Sequence, residues 1–190
     1  AKHEYLMKLN DQNIKKAYAR SGLCVTGTLN TMQKSGVPNP AATGADAGNN
    51  PRGGAAQLIN KFGWGAAYGA PTTLDSPYGA AKSAVLSKSD YLKHVEGGKI
   101  PSGALIFQTR HNSWNGTSPG SSGYDMAIAQ NSGRSLWNGV AINDPLVYGS
   151  TQKVMVLTPG GQAGSGTPGA ANSSGGGGGG GLGNLMSGGA

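Results

Sequence analysis

Ile100-Pro101-Ser102-Gly103-Ala104-Leu105-Ile106-Phe107 and, further on, Gly123-Tyr124-Asp125-Met126-Ala127-Ile128-Ala129 decide the fold class of this chain. Each is a short apolar run led by Gly, Pro or Ser, which is the pattern of a strand and too short for a helix that buries one face. Arg134 to Asn138 and Lys153 to Leu157 are two further segments of this kind. Upstream the period is helical. Asp11 to Arg20 carries an acid near its start and a base near its end, as the helix dipole favours. Leu23 to Ser35 sets Val25, Leu29 and Met32 at spacings of four and three, and Gly36 stops it before Pro38. Ala55 to Phe62 repeats the pattern, and Asp90 to Glu96 reads as a short helix capped by Ser89. Pro38 to Gly54 and Gly65 to Gly79 are dense in Pro, Gly and Asn and read as loop and turn. Helices first and a small antiparallel sheet after define an α+β domain.

Composition sets the limits of that domain. Of 190 residues, 35 are Gly and 10 are Pro, and the last 32, from Pro159 to Ala190, carry 15 of the glycines and no charge. Such a stretch buries too little apolar surface to offset its ordering entropy. The expected organisation is a domain over residues 1–158 and a Gly-rich low-complexity tail over 159–190. No apolar run approaches a membrane span and no secretory signal pattern opens the chain, so it reads as soluble. The net charge of +7 is scattered, with a mild basic excess up to Lys34. It suggests an anionic partner, but no stretch interleaves bases with stacking aromatics, so nucleic acid draws little support. No loop has the phosphate-cradling pattern and no His, Asp, Glu and Cys share metal-ligand spacing, so neither cofactor nor metal is expected.

The single cysteine, Cys24, excludes a disulfide framework and stands at the start of the Leu23 to Ser35 helix. Unpaired N–H groups there favour thiolate over thiol, although a lone cysteine also serves as a small core hydrophobe. The order of elements bears on that choice. Ser21-Gly22-Leu23-Cys24 running to Gly36, then Pro101-Ser102-Gly103 leading Ala104 to Phe107, then Gly123 to Ala129 with Leu136-Trp137-Asn138 after it, resembles the NlpC and CHAP-type cysteine peptidase/amidase superfamily. The resemblance runs from about Asp11 to Thr158 and implies a papain-like fold that cleaves amide bonds of peptidoglycan, with Cys24 as nucleophile. The family's general-base His would fall near Tyr124 or Asp125, and neither replaces it: an ordinary Asp is too weak a base for a thiol, and its charge opposes thiolate formation. His3 lies at the terminus and His94 in a polar helix. His111 remains, in the loop that enters this strand from upstream, with Asn138 or Asn143 to orient its ring as a polar third member does in the family.

Two functions follow from the resemblance. One is a cysteine hydrolase with Cys24, His111 and Asn138 as its site; the other is a catalytically inactive relic of the same fold, kept as a structural or assembly protein. A His facing Cys24 favours the first, and Asp125 facing Cys24 the second. The basic body and charge-free tail suit a protein that packs into an assembly, and with the resemblance they imply a component of a phage particle, so the expected partners are peptidoglycan or other virion proteins. Leu182, Leu185 and Met186 offer a docking anchor within the tail, against the alternative of a solvated terminus. Trp64, Trp114 and Trp137 are candidates for a sugar-binding surface; Trp137, within a strand, reads as core and Trp114, in a Gly/Ser-rich loop, as the better ligand contact. The sequons at Asn115 and Asn172 read as chance matches.

Overall fold

The computed structural model describes Thr28, Met32 and residues 51–76, 79–112, 114, 123–137 and 140–161. Within them the chain is α+β, with helices α1 (Pro51–Phe62) and α2 (Lys88–Glu96) and eight strands: β1 (Trp64–Ala66), β2 (Ala70–Leu74), β3 (Ala81–Ser87), β4 (Leu105–Thr109), β5 (Tyr124–Gln130), β6 (Arg134–Trp137), β7 (Val140–Ile142) and β8 (Lys153–Pro159). They form one sheet in the order β2-β3-β8-β4-β5-β6-β7, with β1 added beside the far half of β8, and every pairing is antiparallel. Thr28 and Met32 are helical, in agreement with the stripe read from Leu23 to Ser35.

The centre of the sheet is β8-β4-β5, and both of its faces are covered. Alternation sends Leu105, Phe107, Met126, Ile128, Met155 and Leu157 to one face, where they pack with Ala55, Ala56 and Leu58 of α1 and with Met32. Ile106, Ala129, Val154 and Val156 turn to the other face, under Tyr91, Leu92 and Val95 of α2 and Leu146. Burial on both sides explains why β4 and β5 are apolar runs without the polar alternation of a half-solvated strand. Each large side chain buried here stabilises the fold by roughly 1.5–3 kcal/mol.

Several boundaries differ from those expected. The loop ending at Gly54 gives up its last residues to α1, which begins at Pro51, where the missing N–H of proline costs nothing. Arg52, Gly53 and Gly54 are buried in that first turn by tertiary packing, which their composition does not announce. The turn-rich stretch from Gly65 to Gly79 contains β1 and β2; Pro71 is tolerated because β2 is an edge strand. Helix α2 is capped by Ser87 rather than Ser89, the Ser87 hydroxyl accepting from the Asp90 N–H at 3.1 Å. Three strands and α1 precede α2, so the elements interleave instead of falling into helices and then strands. Pro159, assigned above to the tail, pairs with Trp64 at the end of β8.

Candidate functional site

The β4–β5 register builds the site. Thr109 lies opposite Tyr124, and past that pair the Arg110 N–H donates to the Gly123 carbonyl at 2.8 Å. Thr109 Oγ1 donates to the same carbonyl at 3.2 Å and accepts from the His111 N–H at 3.0 Å. These bonds turn His111 back over the start of β5. Its exposed ring lies 5.1 Å from the Tyr124 ring and rests against the backbone of Gly123. Gly123 is at φ +81, and a Cβ there would overlap His111 Nε2 and lie 2.9 Å from Cδ2, so glycine is needed both for the backbone and for the ring.

Around His111 is a packed aromatic corner. Trp114 lies tilted against Phe107, 4.5 Å between ring centres, and against Tyr124 at 6.1 Å, and the guanidinium of buried Arg52 lies 4.7 Å over the Tyr124 ring. Thr28 reaches the same face: its hydroxyl donates to the Met126 carbonyl at 3.1 Å, which is open because β6 pairs with β5 only from Ile128 onward. Residues 28 and 52 were not foreseen at the site. Thr28 had a signal, its spacing of four from Cys24 within the helix expected over Leu23 to Ser35; Arg52 had none, since its burial is a product of tertiary packing.

Asp125 points the other way. It is opposite Gln108 in register, on the face of Ile106 and Val154 and away from Thr28 and Met32. Arg110 Nε lies 3.8 Å from its carboxylate, and burial pushes the carboxyl up to about 6 against the opposing pull of Arg110. A folded-state value above the ordinary 3.8 means that the folded chain binds the proton more tightly than the unfolded one. The protonated acid therefore contributes stability that is present below about pH 4 and is lost as pH rises to about 6. Asp125→Asn is expected to stabilise the protein by about 3 kcal/mol at pH 7, with the gain shrinking toward zero near pH 4, as read from urea unfolding at the two pH values.

Of the residues singled out in the sequence, Cys24, Asn138 and the tail points Leu182, Leu185 and Met186 lie outside the described residues. His111 is brought to β5; Asn143 is exposed after β7. His94 is half-buried beside Tyr68, 4.7 Å between rings, with Nδ1 at 2.7 Å from the Asp90 carbonyl. The tryptophan expectation is reversed. Trp114 and Trp64 are buried core residues, and Trp137 is half-exposed, because Trp114 is drawn onto Phe107 while Trp137 falls on the face opposite its buried neighbour Leu136. Among the described residues no three of His, Cys, Asp and Glu gather as metal ligands, and no helix is long and apolar enough to cross a membrane. A small depression lined in part by Tyr91, Gln130 and Arg134 lies at the far end of β5 from His111. In comparisons with family models, curated proteins and solved structures, the chain matches none.

Proposed function

We propose that the chain is a papain-like cysteine hydrolase of the NlpC/CHAP type, acting on an amide bond of peptidoglycan as a component of a phage particle. The observation that carries this reading is the seat of the His111 imidazole on Gly123 and Tyr124, at the start of the central strand β5 and on the face shared by Thr28 and Met32. In the family that resemblance implies, the general base opens this strand. Here Tyr124 and Asp125 lie near that position, and the hairpin end of β4 carries an imidazole to the start of the strand. Cys24 is one helical turn before Thr28 in the sequence, the spacing that puts two residues on one helix face. Asn138 is two residues beyond Leu136, whose side chain packs on this face.

In this reading Cys24 Sγ gives up its proton to His111 and attacks the carbonyl carbon. Backbone N–H groups at the start of the Cys24 helix hold the oxyanion. Collapse of the tetrahedral intermediate breaks the C–N bond, and His111 hands the proton to the departing amine. Water, deprotonated by His111, then attacks the thioester and releases the acid and the thiol. Asn138 orients the ring. The location of Asp125 behind the sheet supports the hydrolase over the relic, since no described carboxylate stands on the His111 face of β5 to oppose a thiolate. The basic body and the charge-free Gly-rich tail support a role within an assembly.

The test is release of soluble fragments from purified peptidoglycan by the wild-type chain, with Cys24→Ala in parallel and circular dichroism to verify both folds. Release by the wild type that is lost in Cys24→Ala is expected. No release from folded wild-type protein would sink the hydrolase and leave a structural virion component on the same fold.

A further inference from the structure

We propose that the sheet face opposite His111 carries a binding site for a neutral pyranose sugar, built from Trp137, Tyr148, Arg110 and Asp125. The four form a continuous cluster. Trp137 and Tyr148 meet edge to face, 6.3 Å apart and 71° between planes. The Arg110 guanidinium lies 4.2 Å from the centre of the Tyr148 ring, and Arg110 Nε is 3.8 Å from Asp125. Both aromatic rings are half-exposed, as is Arg110, whereas the Asp125 side chain is 9% exposed.

Hydrogen bonding in this cluster is incomplete. The Asp125 carboxylate accepts no hydrogen bond among the described residues, and 3.8 Å to Arg110 is a charge contact too long to be one. Arg110 Nε and Trp137 Nε1 are buried donors without an acceptor, and so is Nε2 of Gln108, directly across from Asp125. Those three N–H groups are closed off from solvent, whereas the Asp125 carboxylate keeps a little exposure and the Arg110 side chain is 38% exposed, so a ligand that donates to the one and accepts from the outer guanidinium nitrogens of the other can reach both. The cluster is also firmly held. Gln108 Oε1 accepts from the Val147 N–H at 2.9 Å and the Thr151 hydroxyl at 3.4 Å, and Lys88 Nζ donates to the Gly149 carbonyl, so the segment that presents Tyr148 is tied to the sheet on both sides of that residue. Such support suits a preorganised binding surface.

The chemistry narrows the ligand. One carboxylate beside one guanidinium leaves the site without net charge, so phosphate, nucleic acid and acidic peptides are disfavoured by Asp125 and cations by Arg110. What remains is a neutral molecule with an apolar face to lie on an aromatic ring and an edge of hydroxyls that donate to Asp125 and accept from the exposed part of the Arg110 guanidinium. A pyranose ring has both. The inference is independent of hydrolysis, because it concerns the other face of β5 and is read by binding alone.

The intact wild-type chain is titrated with N-acetylglucosamine tetrasaccharide and with cellotetraose, followed by tryptophan fluorescence and calorimetry. Saturable binding of either sugar is expected, weakened about tenfold by Trp137→Ala, the loss of one stacking contact. Asp125→Asn, which removes a largely buried charge and leaves the protein well folded, is expected to weaken it about fivefold through loss of the charged acceptor. Lys82→Ala, an exposed position on β3, is expected to bind as the wild type does. Absence of saturable binding of both sugars would overturn the proposal, as would affinities unchanged in Trp137→Ala and Asp125→Asn.

Discussion

His111→Ala is expected to lower fragment release from peptidoglycan by about 10²- to 10⁴-fold, the usual contribution of a general base, while leaving the fold intact. The second half of that expectation rests on exposure. The ring is exposed and lies on Gly123 and Tyr124 instead of filling the core, so removing it costs less than the roughly 2–5 kcal/mol of truncating a buried side chain. Loss of activity in a protein with wild-type unfolding behaviour therefore separates catalysis from structure. The open position of the ring also allows added imidazole to enter the space that the substitution leaves. Partial rescue of release by imidazole, rising with pH as the neutral base becomes available, is the signature of a missing proton acceptor. Release within twofold of the wild type would remove His111 from the mechanism.

How far the site was legible depends on which interactions formed each part. The interior strands β4, β5 and β8 were readable because their apolar runs stop sharply at Gly, Pro and Ser, and because burial on both faces erases polar alternation. Trp64–Ala66 and Ala70–Leu74 carry the composition of turns and become strands only by pairing with β8 and β3, which is information held elsewhere in the chain. The first turn of α1 was hidden for the same reason: Pro-Arg-Gly-Gly has no apolar periodicity, and Arg52 is buried by lying over Tyr124. The Gly- and Ser-rich neighbourhood of Trp114 predicts exposure, whereas the ring of Phe107 decides its burial.

His111 occupies an intermediate position. Its residue type made it a candidate, but its proximity to β5 follows from register. Once Leu105 to Thr109 is paired antiparallel with Tyr124 to Ile128, residue 111 must emerge beside Gly123. The alternation of the same pairing sends Tyr124 and Asp125 to opposite faces, so two adjacent residues between which the sequence leaves the position of the missing base open have separate surroundings in the fold. A shift of one residue in register would exchange them, which is why apolar periodicity alone did not decide between the active and inactive readings.

Gly123→Ala is expected to reduce release to the level of His111→Ala, although the catalytic side chains are all retained. Two costs arise at this position. The backbone at φ +81 is unfavourable for any side chain, by roughly 1–2 kcal/mol, and lowers the unfolding midpoint. The new methyl also claims the volume of the His111 ring, and because that ring is exposed at the end of a single side chain it swings away instead of breaking the aromatic corner beneath. Gly79→Ala isolates the first cost. It too has a positive φ, +106, but a Cβ there meets nothing within 4 Å, so this variant should be destabilised to a similar degree while keeping its release of fragments. The double variant Gly123→Ala with His111→Ala should release no less than either single one, since both remove the same contribution. If Gly123→Ala instead works like the wild type at a temperature where both are folded, the place of the imidazole on Gly123 has no part in catalysis, and the base must be sought elsewhere.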